Sequence, residues 1–268
     1  MDVNSNVAQP ANQLTQELRT VFSQHPDTSF NLGQVEEMYK ANKGYMRECI
    51  RVLFSLAISK VQLQIIDLPN ERISEDGALY LRLLMQYFTR LSYLRLMDNA
   101  LGTAGLRHLV AGFHSASQVE VLDLSMNHLV DASAAVLAEG LALLPHLQYL
   151  RLNNNEITDE GATLLAPALL PLLALTNIDL SFNDISDTGC SALFQQMPNS
   201  VQRISIVANQ IGSGATANIK MSLRRLIHLV ELNLGGNRFL TGDRRALKTG
   251  RYETVVHFGV TKSRCEVM

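Results

Sequence analysis

The sequence predicts an α/β solenoid of about seven strand–turn–helix repeats. A pattern of the form LxxLxLxxNxL recurs with a period of about 28 residues, which is typical of repeat architectures. Within each copy, two apolar residues separated by one position have the period-two spacing of a short strand. After each copy, the apolar residues change to helical spacing. The copies begin at Leu63, Leu91, Val119, Leu147, Leu175, Val201 and Leu229.

The residues before the repeats are predicted to form a cap. Residues 1–10 carry no periodic pattern and are expected to be disordered, whereas residues 11–60 contain two stretches with helical spacing. A terminal repeat needs a cover for its exposed apolar side. We therefore expect a helical N-terminal cap, with a separate binding module as the alternative.

The asparagine of each copy is predicted to hold the turn that leaves the strand. An asparagine amide both donates and accepts hydrogen bonds, so it can satisfy backbone groups that a turn leaves unpaired. Stacked copies would place these amides in a ladder. The first copy has Glu71 at this position, which indicates an end unit. The ladder residues are Asn99, Asn127, Asn155, Asn183, Asn209 and Asn237.

Helices are predicted after each turn, for example over residues 161–170 and 189–197. Because one unit cannot bury its own apolar face, the repeats must stack around a shared core. Leu96, Leu124, Leu152 and Leu180 are expected to line that core. A small residue recurs at each helix start, which suggests that no side chain fits there. These residues are Gly77, Gly105, Ser133, Gly161, Gly189 and Ala215.

The C-terminal repeat is predicted to end in a short helix within LTGDRRALKTG and a closing strand within YETVVHFGV. The solenoid would then cover residues 61–258, and residues 259–268 would form a flexible tail. The spacing between the copies at Leu175 and Val201 is shorter than elsewhere, which suggests a local tightening after Pro198.

A strand followed by a full helix at this period resembles the ribonuclease-inhibitor type of leucine-rich repeat, over residues 61–257. The copies at Leu91 and Leu147 resemble each other more than their neighbours, as in the alternating repeats of that family. The resemblance implies a curved horseshoe with a parallel sheet on the concave face and helices outside.

The variable strand positions would point into this concave face. Between the two core residues of each strand, charges alternate for five units. Such neighbours can neutralise one another, so one interpretation is a solvated, internally paired sheet. The other interpretation is a partner-binding surface. This column reads Asp67, Arg95, Asp123, Arg151, Asp179, Ser205 and Asn233.

The binding interpretation rests on large side chains that the core does not need. Aromatic residues, Met and Arg are enriched at the centres of protein interfaces. The mixed signs of charge favour a protein partner over a nucleic acid. The predicted function is a non-catalytic scaffold or adaptor. Its candidate binding residues are Tyr93, Arg95, Met126, Tyr149, Arg151 and Phe182.

The composition sets broad limits on compartment and ligand. A net charge of −2 gives no bulk attraction to nucleic acid. The sequence contains no run of about 18 apolar residues, so no transmembrane segment is predicted. The N-terminus lacks the features of a signal peptide, and three widely spaced cysteines do not suggest a disulfide framework. We therefore expect a cytoplasmic protein.

The last four residues, Cys265-Glu266-Val267-Met268, match a C-a-a-X box, in which Met at the final position favours a farnesyl group. We expect lipidation at Cys265 to give reversible membrane association, with an unmodified tail as the alternative. Glu266 departs from the usual aliphatic residue.

No catalytic, phosphate-binding or metal-binding motif stands in the sequence, so no cofactor, metal or enzymatic activity is expected. One alternative is a regulator of a small GTPase. The GTPase activator of Ran is built from similar repeats and acts through a loop arginine and an asparagine. Arg72 and Asn127 occupy comparable places here. A further alternative is an actin-capping module like the repeat domain of tropomodulin, but this sequence lacks the actin-binding helices that flank that domain.

Overall fold

A computed structural model describes residues 62–248 and 254–259, together with Leu53, Leu56 and Ala57. In this part of the chain, parallel strands form one sheet of eight, ordered as in the sequence. The strands are β1 (Ile65–Asp67), β2 (Tyr93–Arg95), β3 (Val121–Asp123), β4 (Tyr149–Arg151), β5 (Asn177–Asp179), β6 (Arg203–Ser205), β7 (Glu231–Asn233) and β8 (Val255–His257). The predicted α/β solenoid is confirmed.

Helices follow the strands along the whole described solenoid. They are α1 (Glu75–Met85), α2 (Gly102–Gly112), α3 (Asp131–Leu141), α4 (Asp159–Leu169), α5 (Asp187–Gln196), α6 (Thr216–Arg225) and α7 (Thr241–Lys248). Consecutive helices pack against one another. Parallel strands lie about 4.8 Å apart, whereas packed helices lie about 8–10 Å apart. Because the helical side needs more length per repeat, the sheet is the concave face.

One apolar core runs through the stacked repeats. The four leucines predicted to share it, Leu96, Leu124, Leu152 and Leu180, are at most 1% exposed and belong to a single buried cluster. Each repeat therefore depends on its neighbours for burial. Among the described residues, no helix has both the length and the apolar character needed to cross a bilayer.

The asparagine ladder joins each turn to the repeat before it. Asn155 shows the pattern, because its Oδ1 accepts from the backbone N–H groups of Asn127 and Leu129, each at 3.0 Å. Its Nδ2 donates to the carbonyl oxygens of Leu152 at 2.9 Å and Leu124 at 3.2 Å. All six ladder residues are between 0% and 9% exposed. Their predicted structural role is confirmed. Glu71 lies outside the ladder and is exposed.

On the convex side, an aspartate in one repeat holds the helix start of the next. The Oδ1 of Asp159 accepts from the backbone N–H groups of Ser186 at 2.7 Å and Gly189 at 2.8 Å. A Cβ on Gly189 would lie 2.9 Å from Asp159 Cα, so glycine is required. Gly105 differs, because its nearest contact would be an ordinary 3.4 Å. The prediction that no side chain fits at the helix start is therefore wrong at Gly105.

The last repeat has the predicted helix and closing strand, α7 and β8. The shortened repeat also fits the sequence, since α5 ends at Gln196, two residues before Pro198. The predicted disordered N-terminus (1–10) lies outside the described residues. So do nearly all of the predicted cap (11–60) and the tail (259–268). Of the cap, Leu53, Leu56 and Ala57 are helical, and Leu53 and Ala57 are buried in the common core.

Replacing a ladder asparagine should be far more costly than replacing a surface residue of the same repeat. Asn155→Ala leaves two buried N–H groups and two carbonyl groups short of a partner, at about 1–3 kcal/mol each. We expect the free energy of unfolding to fall by roughly 3 kcal/mol or more in urea denaturation. Glu156→Ala removes an exposed contact with His128 and should cost at most about 0.5 kcal/mol. Equal losses in both variants would contradict the ladder's role.

Candidate protein-binding surface

The open face of the sheet carries side chains in columns, because every strand pair is in register. The first column is apolar over the first four strands, polar over the next three and apolar again at Val255 on the last strand. We call its first apolar part, Ile65, Tyr93, Val121 and Tyr149, the apolar strip. Ile65 is 62% exposed, and the other three are half-buried. The column reads Ile65, Tyr93, Val121, Tyr149, Asn177, Arg203, Glu231 and Val255.

Beside the apolar strip runs the column of alternating charges. The Arg95 guanidinium lies 3.5 Å from the carboxylates of both Asp67 and Asp123. Arg151 lies 3.4 Å from Asp123, so two cations share this buried carboxylate. The Ser125 hydroxyl also donates to Asp123. The predicted pairing within the column is therefore present, and it holds the two arginines in place across three strands.

The charge column is less well compensated at Asp179. Burial raises the pKa of this carboxyl group above its ordinary value of 3.8. A hydrogen bond from the Ser181 N–H at 2.9 Å and the nearby charge of Arg151 oppose that rise, whereas the charge of Asp123 adds to it. Next to Asp179 on the same strand, the Oδ1 of Asn177 is buried and accepts no hydrogen bond from the described residues. The polar groups of β5 are thus only partly satisfied.

A second row of exposed side chains lies where the strands end. The residue before each ladder asparagine has a left-handed backbone, which bulky residues adopt at a cost of about 1–2 kcal/mol. At Met126 and Phe182, φ is 56° at both, and the side chains are 40% and 48% exposed. Burial in the core therefore does not explain why bulky residues occupy these two positions. The row reads Asn70, Asp98, Met126, Asn154, Phe182, Ala208 and Gly236.

The six predicted binding residues therefore divide into two groups. Tyr93, Arg95, Tyr149 and Arg151 lie together on the open face of β2 and β4, separated by β3. Met126 and Phe182 lie at the edge of that face, two repeats apart.

The other residues singled out in the sequence are the two GTPase-regulator candidates, Asn127 and Arg72, and the lipidation candidate Cys265. Asn127 is fully buried, and its amide donates to the carbonyl oxygens of Leu96 and Ser125. It therefore cannot reach a bound GTPase, although Arg72 is exposed. The GTPase-regulator alternative stays a prediction that rests on Arg72. Cys265 lies outside the described residues.

Sequence reasoning missed the aspartates that hold the helix starts. Their signal was present, because Asp131, Asp159 and Asp187 each stand four residues after a ladder asparagine. Cys190 offers no reactive thiol, since burial raises its pKa. Across residues 62–248 and 254–259, no group of three or more His, Cys, Asp or Glu side chains is placed to hold a metal ion.

A comparison with protein-family models agrees with the repeat architecture. A family model described as "Leucine Rich repeat" matches residues 144–166 and 175–194. No curated protein matches the chain. Internalin C2 from Listeria monocytogenes is similar in structure, with 20% identity and a TM-score of 0.48, over 73% of this chain and 80% of that chain. A plant ice-binding protein gives 20% identity and a TM-score of 0.37, over 71% and 53% respectively.

Removing the charge of Asp179 should affect stability in a pH-dependent way. Because the folded-state pKa is raised, the folded protein holds the proton more tightly than the unfolded chain does. Ionisation therefore destabilises the fold as pH rises from 3.8 through the raised pKa. We expect Asp179→Asn to increase the free energy of unfolding relative to wild type at pH 7. This advantage should shrink as pH falls through the raised pKa and be lost below 3.8, where Asp179 is protonated in both the folded and the unfolded wild type. Urea denaturation at several pH values measures the free energy of unfolding of both proteins. A difference between them that does not change with pH would contradict the raised pKa of Asp179.

Proposed function

We infer that this leucine-rich-repeat protein is a non-catalytic scaffold that binds a protein partner on its concave face. The observation that carries this proposal is the apolar strip on an uncovered sheet. Parallel sheets are usually covered on both faces, but here the helices of the described residues cover only one. The uncovered face presents two tyrosines that the core does not need. A surface of this kind is explained by a second molecule that covers it.

The side chains of the open face also suggest how a partner would be recognised. Tyr93 and Tyr149 lie two strands apart, or roughly 10 Å. Each can bury ring area against an apolar side chain while its hydroxyl stays hydrogen-bonded. The neighbouring arginines are already oriented by Asp123, so little side-chain entropy is lost when they bind. Opposite charges alternate beside the apolar strip, which fits a partner of mixed charge.

Met126 and Phe182 support the same face as the binding site. Their left-handed backbone is unfavourable for bulky residues, and asparagine or glycine at that position would avoid the cost. Strain of this type is commonly kept where function requires a particular side chain. These two residues add exposed apolar surface at the edge where the strands end, on the other side of the charge column from the apolar strip.

The partner can be identified by placing a photo-crosslinking amino acid at Tyr149. The matched control carries the same group at Leu173, which is 79% exposed on the loop before β5, away from the open face. A protein that crosslinks at position 149 and not at 173 is the candidate partner. The recovered partner is then produced in pure form for binding measurements.

Loss of both tyrosines should weaken binding without unfolding the protein. We expect Tyr93→Ala with Tyr149→Ala to raise the Kd for the purified partner by roughly 30-fold or more, as for a pair of hot-spot residues. Leu173→Ala should leave the Kd unchanged. Thermal unfolding of each variant shows whether the fold is retained. An unchanged Kd in the folded double variant would overturn the proposal.

Lipidation of Cys265 stays a separate proposal that applies to a protein whose last residue is Met268. Support comes from the match of the four C-terminal residues to a prenylation box. The intact mass of the protein purified from eukaryotic cells is expected to show an added prenyl group and loss of the residues after Cys265. Cys265→Ser should abolish that change in mass. A wild-type mass that corresponds to the unmodified sequence would contradict this proposal.

A further inference from the structure

The C-terminal part of the described solenoid carries a net positive charge, whereas the rest of it is acidic. Residues 62–215 contain seven Lys and Arg against fifteen Asp and Glu. Residues 216–248 contain seven Lys and Arg against two Asp and Glu. The small net charge of −2 for the whole chain hides this separation. The C-terminal end therefore has a local positive potential that the composition alone does not reveal.

The positive charge lies on the convex side, on two neighbouring helices. Arg224 and Arg245 are exposed on α6 and α7, and Lys248 lies one turn beyond Arg245. We call the following set the basic end: Lys220, Arg224, Arg244, Arg245 and Lys248. Asp243, the acidic residue of α7, already accepts hydrogen bonds from the hydroxyl of Thr216 and the N–H of Leu240. Its single negative charge offsets only one of the five cations of the basic end.

The basic end is held in a fixed place. The Arg244 guanidinium and the Lys248 ammonium each lie 5.7 Å from the centre of the Phe258 ring, which follows β8. The Phe258 ring in turn contacts Phe239 edge-on, with centroids 5.6 Å apart. These cation–π and aromatic contacts join α7 to the closing strand. The charges are thus presented by an ordered surface.

Exposed aliphatic side chains accompany these charges. Met221, one turn before Arg224, is 61% exposed, and Ile227 in the loop after α6 is 77% exposed. Leu173 occupies the same repeat position as Ile227 and is 79% exposed, but it lies in the acidic part of the chain. Aliphatic exposure alone therefore does not distinguish the basic end. The combination of aliphatic side chains with an excess of cations does.

We propose that the basic end docks on a bilayer surface that contains anionic lipid. Cations are attracted to anionic headgroups, and aliphatic side chains gain by entering the boundary between headgroups and acyl chains. A nucleic acid would use the cations, but it offers stacked bases that favour aromatic side chains over Met221 and Ile227. This surface is distinct from the open sheet face and needs no prenyl group.

The test uses the full chain made in bacteria, so that Cys265 carries no lipid. Co-sedimentation is measured with phosphatidylcholine vesicles and with vesicles that also contain phosphatidylserine. We expect binding only when phosphatidylserine is present, and weaker binding as salt rises and screens the charges. Absence of binding, or equal binding to both types of vesicle, would overturn the proposal.

Matched variants locate the surface. Arg224→Glu with Lys248→Glu should lower the vesicle partition coefficient roughly 30-fold or more, and Ile227→Ser should lower it roughly tenfold. Arg107→Glu, at an exposed position of α2, and Leu173→Ser are the controls and should leave the partition coefficient unchanged. Equal losses in the controls would contradict the proposed location.

Two further measurements separate this proposal from its alternatives. The Tyr93→Ala and Tyr149→Ala double variant should bind vesicles as wild type does, since its changes lie on the other face. Heparin and single-stranded RNA are used as competing polyanions. If they bind the basic end while vesicles do not, the lipid assignment is wrong and a polyanion site takes its place.

Discussion

The hydrogen bonds of the asparagine amides are the interaction on which the rest of the structure depends. Each strand is only three residues long, for example Tyr149–Arg151, so the strands alone provide few hydrogen bonds to one another. Asn155 adds bonds to the backbone of both its own repeat and the preceding one. This fixes where each strand ends relative to its neighbour. Side chains at equivalent positions consequently line up across the sheet, and the open face acquires its columns.

Much of the fold could be predicted from the sequence because it repeats. The strands, the helices, the shared leucine core and the role of residues such as Asn155 all follow from a pattern that has one physical solution. The aspartates at the helix starts repeat too, and Asp131, Asp159 and Asp187 stand in the sequence as a regular signal. Their function became clear only from the structure, because each aspartate bonds to the next repeat rather than to its own helix.

The candidate surface was predictable only in part. The face on which Tyr93 and Tyr149 lie follows from strand periodicity. The sharing of Asp123 by two arginines does not follow from the sequence, because strand register does not determine the direction of each side chain. The left-handed backbone at Met126 was likewise hidden, since no rule of composition places a bulky residue there. The choice of partner depends on the variable positions, which the fold leaves unconstrained.

The alternation of Asp67, Arg95, Asp123, Arg151 and Asp179 also limits how such a chain can change in length. Loss of a single internal repeat, the one with Arg95, Asp123 or Arg151, would set two like charges on adjacent strands, about 4.8 Å apart. Loss or gain of two repeats would keep every neighbour opposite in sign. Unequal recombination within the gene is therefore expected to be tolerated in double steps, and relatives of different length should differ by even numbers of units here.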